Sequence, residues 1–303
     1  MADLSETTVP SGTTVGVAPA APVSRGVRRI TVQAGPVTLS GLSSEPPHGP
    51  PRALVLALHG GGTSAGYFDG QAHPDLSLLT LGADLGHRVV ALDRPGYGAS
   101  AAELPDGRTL VEQAADIAAA VRQLACDGPV GGGVLLLAHS FAGKPAFLLA
   151  AEHAPDMLLG LDVSGCGTRL AVPYDQVRHG RNGRRLNWGP LSLYPPATFQ
   201  AAATVVAPMP PREAESAGDW ERLSAEVLPR VRVPVRLTFA EHEAWWRHGD
   251  EDVADMVGRL TAAPRVRVDR MPGAGHNISL GWAARTYHLR ALAFVEECLR
   301  RTA

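Results

Sequence analysis

The chain has 303 residues, 45% of them hydrophobic and 19% charged, the proportions of an ordinary globular protein. A net charge of −2 gives no basis for nucleic acid or an anionic membrane as partner. No stretch reaches the roughly 18 uninterrupted apolar residues of a membrane span. Cys126, Cys166 and Cys298 are odd in number and far apart, which speaks against a disulfide framework or a C-x-x-C pair. They read as small buried hydrophobes of a protein in a reducing, cytoplasmic compartment.

In chain order, residues 1–26 are rich in Thr, Pro, Ala, Gly and Ser, with no basic start and no apolar core, and are expected to be a disordered leader. VRRITVQ (27–33) and PVTLSGLSS (36–44) read as an antiparallel pair of strands, followed by the proline-rich turn PPHGPPR (46–52). ALVLALH (53–59), HRVVALD (87–93), GVLLLA (133–138), MLLGLDVSG (157–165), VPVRLTFA (233–240) and PRVRVDRM (264–271) are the remaining strands. The continuous apolar runs among them mark a sheet buried on both faces. Helices are expected near 74–86, over 109–125 with Leu110, Ala114, Ile117, Val121 and Leu124 on one face, over 141–153, between the last two strands, and over 282–301. Strands alternating with helices give a mainly parallel α/β sheet with helices on both faces. The rhythm breaks once, between Val163 and Val233, where an insertion is expected to rise over the C-terminal sheet edge as a lid. The expected division is thus a core of 27–165 and 231–303 with a lid of 166–230. Lys144 is the only lysine among 28 basic residues, a bias that reads as genomic composition.

Four motifs fall at strand ends: HGGG (59–62), DRPGYG (93–98), AHSFAG (138–143) and GAGHN (273–277). The acidic stretch AEHEAWW (240–246) follows a fifth strand. In this order, over roughly 50–165 and 230–300, the set resembles the α/β-hydrolase superfamily. Taken alone, Ser140 could also be a helix N-cap, and Ala138 and Ala142 stand where the pattern G-x-S-x-G has glycine. Alanine still meets the demand for small neighbours in a strained elbow, with Gly143 adding slack. A serine hydroxyl needs a base to take its proton and an acid to orient that base. The superfamily's chain order of serine, acid and histidine implies Ser140, Glu243 and His276, with Glu241 and Asp162 as alternative acids. His59, His139 and His242 are poorer bases: the first begins the glycine-rich loop, the second is expected to point away from the serine, and the third belongs to the acid's own loop.

The resemblance further implies an oxyanion hole formed by the amide of Phe141 and that of Gly61 or Gly62. Each donor is worth about 3–4 kcal/mol to a tetrahedral intermediate. Asp93 and Arg94 are expected to tie loops together locally. Trp188, Tyr194, Phe199, Trp245 and Trp246 are candidates for an apolar substrate pocket or for ordinary core. The arginines of 178–185 read as a solvated lid face or as a docking patch for an acidic acyl or peptidyl carrier protein. The implied activity is a serine hydrolase working through an acyl-serine on an ester or thioester, with no metal or organic cofactor required. Transfer of a carrier-bound, aromatic acyl group to an acceptor uses the same first step and stays open. Carbon–carbon cleavage and a non-catalytic binding protein are the remaining readings.

Overall fold

The computed structural model describes residues 21–173, 183–216 and 218–300. Eight strands form one sheet in the order β1-β2-β4-β3-β5-β6-β7-β8. They are β1 Arg28–Ala34, β2 Val37–Ser44, β3 Leu54–Leu58, β4 Arg88–Leu92, β5 Val134–His139, β6 Leu158–Ser164, β7 Val235–His242 and β8 Val266–Gly275. The β1–β2 and β2–β4 pairs are antiparallel and the others parallel. This is the mainly parallel α/β architecture anticipated from the apolar runs.

The central strands show why they had to be apolar throughout. In β3, Leu54, Leu56 and Leu58 face a core packed by α2 (Leu110–Asp127), α3 (Gly143–Glu152), α7 (Trp220–Val227) and α8 (Asp250–Arg259). Val55 and Ala57, on the alternate face, meet α1 (Leu78–Asp84) and α9 (Ala284–Leu299). Helix α2 begins at a capping box: the Thr109 hydroxyl accepts from the Glu112 amide, and the Glu112 carboxylate accepts from the Thr109 amide at 2.8 Å. Such a cap is worth about 1 kcal/mol. All five apolar positions expected on its inner face are buried. The helix expected near 74–86 is shorter, because Ser77 caps α1 by accepting from the Thr80 amide and a 3-10 turn occupies Pro74–Leu76.

From β3 the chain crosses to β4 on one side and returns to β5 on the other. The crevice at the C-terminal ends of β3 and β5 is therefore the sheet's topological switch point. Above it, α4 (Gly183–Trp188), α5 (Thr198–Ala202) and α6 (Pro211–Ser216) cover the edge. Helix α7 does not belong to this cover. Trp220 is 1% exposed, its ring stacks on Phe147 at 6.1 Å, and its Nε1 donates to the Gly167 carbonyl at 2.9 Å, so this part of 166–230 packs with the core. Most of the leader lies outside the described residues. The Ser24 amide already donates to Asp69 at 2.9 Å, so the chain is held from just ahead of β1. Of the cysteines, Cys166 and Cys298 are buried as expected, whereas Cys126 is exposed. Among the described residues, no helix is long and apolar enough to cross a membrane.

Candidate active site

β5 ends at His139, Ser140–Ala142 make one 3-10 turn, and α3 continues from Gly143. Ser140 has φ +54°, and among the described residues no other non-glycine residue has positive φ. That conformation costs a residue with a Cβ on the order of 1–3 kcal/mol and is kept only where the surroundings impose it. Ala138 and Ala142 are both fully buried against the turn. Gly143 does not supply slack, as the sequence suggested. It is ordinary helix with φ −56°, and a Cβ there would lie 2.8 Å from Val163 and Cys166, so glycine lets α3 close onto β6.

The candidate base and acid come from neighbouring strands. β7 and β8 pair up to His242 opposite Gly275, with a register shift between Ala240 and His242, so Glu243 and His276 leave the sheet side by side. His276 Nε2 lies 2.9 Å from Ser140 Oγ, and His276 Nδ1 lies 2.7 Å from Glu243 Oε2. The other Glu243 oxygen accepts from the Trp245 amide at 2.9 Å. Burial pushes the Glu243 pKa up, but the charge and hydrogen bond of His276 and the Trp245 amide outweigh it and hold the carboxyl below the ordinary range. An ionised carboxylate only accepts, so it fixes the proton on Nδ1 and leaves Nε2 free to accept from serine.

The alternative acids are occupied elsewhere. Asp162 is fully buried on β6 and paired with Arg236, its register partner on β7. Glu241 is exposed and accepts from the Gly273 amide at 2.7 Å, closing the approach to the histidine turn. Neither makes a hydrogen bond to His276.

Of the expected oxyanion donors, Gly62 is already engaged: its amide donates to the Tyr97 hydroxyl at 3.0 Å. Gly61 remains. A Cβ there would lie 2.6 Å from the Met209 methyl and 3.7 Å from Phe141 Cβ, so the bare backbone is wedged between cover and elbow. Phe141 opens the turn after the serine, where helical amides lack an internal partner.

His139 does not point away. It borders the same cavity, stacks on Tyr67 at 4.6 Å, places its ring 4.9 Å from that of His276, and has Nδ1 3.0 Å from Ser164 Oγ. Burial first, then the neighbouring His276 and His59, holds its pKa well below that of free histidine. It thus stays uncharged beside His276. Arg94 does more than tie loops locally. It donates to the carbonyls of His59 and Gly60 and to Gln113, and it reaches across to Glu213 on α6, both side chains fully buried. Tyr97 donates to the same Glu213 at 2.7 Å.

A cavity of about 410 Å³ opens above Ser140. Trp188, Trp245 and Trp246 line it as expected, whereas Tyr194 and Phe199 do not. They pack behind Trp188 with ring centroids 5.0 Å from it. Lys144, Asn187, Glu213 and Met209 border the cavity and were not anticipated. Lys144 had a readable signal: it is the chain's lone lysine and stands four residues after the elbow serine. Among the described residues, no group of three or more His, Cys, Asp or Glu could hold a metal ion. Most of the arginine-rich segment, 178–182, lies outside the described residues.

With strand order, elbow and strand-end residues in place, comparison with known sequences is decisive for the family: the sequence profile described as alpha/beta hydrolase family matches residues 54–287. The chain belongs to the alpha/beta hydrolase family. No curated protein matches the sequence. Solved structures of like fold include a highly thermostable carboxyl esterase from Bacillus coagulans in complex with glycerol, at TM-score 0.66 and 16% identity over 91% of this chain and 100% of that one. A variant N-acyl homoserine lactonase complexed with N-hexanoyl homoserine gives 0.63 and 14% over 90% and 97%. E-2-(acetamidomethylene)succinate hydrolase gives 0.66 and 18% over 89% and 99%. At these identities the likeness concerns the fold, and the alpha/beta hydrolase chemistry of this chain must be argued from its own residues.

Proposed function

We propose that this alpha/beta hydrolase is a serine hydrolase that cleaves an ester or thioester through an acyl-serine intermediate. The observation that carries this reading is the relay from Ser140 Oγ to His276 Nε2, and from His276 Nδ1 to Glu243, on the floor of a largely apolar cavity. As Oγ attacks the carbonyl carbon, His276 takes its proton and Glu243 stabilises the imidazolium formed. The amides of Phe141 and Gly61 receive the oxyanion. Collapse of the tetrahedral intermediate passes the proton from His276 to the leaving alcohol or thiol, and the acyl group stays on Ser140. Water, deprotonated by the same imidazole, then attacks the acyl carbon, and the acid departs as Ser140 regains its proton. That an esterase and a lactonase share the fold supports carboxylic ester chemistry.

A fluorophosphonate probe tests the nucleophile. The native protein is expected to label at Ser140 and Ser140→Ala to remain unlabelled, with a burst of p-nitrophenol from p-nitrophenyl butyrate in the wild type. Absence of label on the folded protein overturns the reading. Faster acyl release to an added alcohol or amine than to water moves it from hydrolysis to acyl transfer.

A further inference from the structure

Lys144 is the chain's only lysine, and it is 2% exposed in the wall of the Ser140 cavity. It sits on the first turn of α3, four residues after the serine. Both residues line the same cavity of about 410 Å³. Its Nζ lies 4.6 Å from the centroid of the Phe141 ring and 5.5 Å from that of Trp246. Among the described residues it makes no hydrogen bond or ion pair.

The groups that face it do not neutralise it. Glu213 also borders the cavity, but its oxygens are taken by Arg94, Gln113 and Tyr97. Burial pushes the Cys166 thiol up to about 12, so it offers no anion. Asp219 is exposed, and Arg94 repels. Burial lowers Lys144 itself to about 8, so at neutral pH it still carries most of a proton. A buried cation held between two rings, without an anion of its own, fits a site whose anion arrives with the ligand.

We propose that Lys144 receives a carboxylate of the substrate, and that the favoured substrates are half-esters or half-thioesters of short dicarboxylic acids. Ser140 and Lys144 share one cavity of about 410 Å³, whose size suits a short acid that carries both the reacting carbonyl and a carboxylate. A mainly apolar cavity with one cation at its wall separates such substrates from neutral esters of equal length: only the former brings the missing charge. The turnover part of this inference rests on Ser140 as nucleophile. The binding part does not.

Because the chain has one lysine, lysine labelled with ¹³C at Cε gives a single side-chain resonance, which follows Lys144 directly. In labelled Ser140→Ala, monomethyl glutarate is expected to raise the midpoint of that resonance's pH titration by about one unit or more, since a bound anion favours the protonated amine. Methyl valerate, its neutral counterpart, is expected to leave it in place. A midpoint unmoved by monomethyl glutarate, or moved equally by both, overturns the proposal. In steady-state kinetics, the wild-type preference in kcat/KM for mono-p-nitrophenyl glutarate over p-nitrophenyl valerate is expected to fall about tenfold or more in Lys144→Met, as for loss of a charged hydrogen-bond partner. An unchanged ratio overturns it. Should that variant not fold, the labelled protein carries the test alone. No fluorophosphonate label together with a shifted lysine midpoint removes the nucleophile and keeps the carboxylate receptor. Label without the shift does the reverse.

Discussion

Two buried glutamates, one on the wall of the Ser140 cavity and one behind His276, do opposite work. Glu213, on the cover, is paired with Arg94, and further donors from Gln113 and Tyr97 satisfy its oxygens. Glu243, at a strand end, is paired with His276 and the Trp245 amide. Arginine does not release its proton in any accessible pH range, so the first pair is a fixed clasp between core and cover. An imidazole between a hydroxyl and a carboxylate can take up and return a proton, so the second pair can follow a reaction. Depth of burial is the same for both. The partner's chemistry separates a fastening from a relay.

The largest effect expected to sharpen this contrast is on turnover. Ser140→Ala should lower kcat for p-nitrophenyl esters on the order of 10⁶-fold with little change in the urea midpoint of unfolding, and Glu243→Gln should lower kcat by about 10⁴-fold. Arg94→Met should act the other way round, costing about 3–5 kcal/mol in urea unfolding because it strands the Glu213 charge in the interior. Fluorophosphonate labelling of Ser140 at low temperature should survive it. If Arg94→Met abolished labelling at full stability, the clasp would have to be counted as part of the relay.

Acid provides a finer test. Glu243 has its pKa held below the ordinary 4.5 in the folded protein, so its pairing adds stability that is fully present above that value. The contribution is lost as pH falls through the folded-state pKa. The difference in unfolding free energy between wild type and Glu243→Gln should therefore shrink from pH 6 towards pH 3. A difference that grows in acid would contradict the assignment. The smallest effect concerns the thiols, where partner and exposure again decide. Exposed Cys126 should react with a disulfide reagent in the native protein without loss of activity. Cys166 and Cys298, pushed up by burial to about 12 and about 11, should react only on unfolding.

The sheet was legible because central strands buried on both faces, such as Leu54–Leu58, must be apolar at every position. The approach of Ser140, His276 and Glu243 was legible because the family's chain order sets such residues at strand ends. What escaped was chemistry set by tertiary approach. The side of the sheet to which His139 turns depends on the strand's pleat. The loss of the Gly62 amide depends on a tyrosine thirty-five residues away in sequence. Trp220 read as cover because nothing local tells that its ring stacks on Phe147. Lys144 was visible as a lone lysine, but its meaning depends on an environment with no anion to meet it.

Met209 gives the cover a chemical weak point. Its methyl stands over Gly61, where a Cβ would come within 2.6 Å, and the side chain is 39% exposed, open to peroxide. Conversion to the sulfoxide would turn a soft apolar covering into a polar one and set a strong acceptor oxygen beside the Gly61 amide, the donor proposed for the reacting carbonyl. Oxidants would then dim the enzyme while its fold stayed whole, and a methionine sulfoxide reductase would relight it.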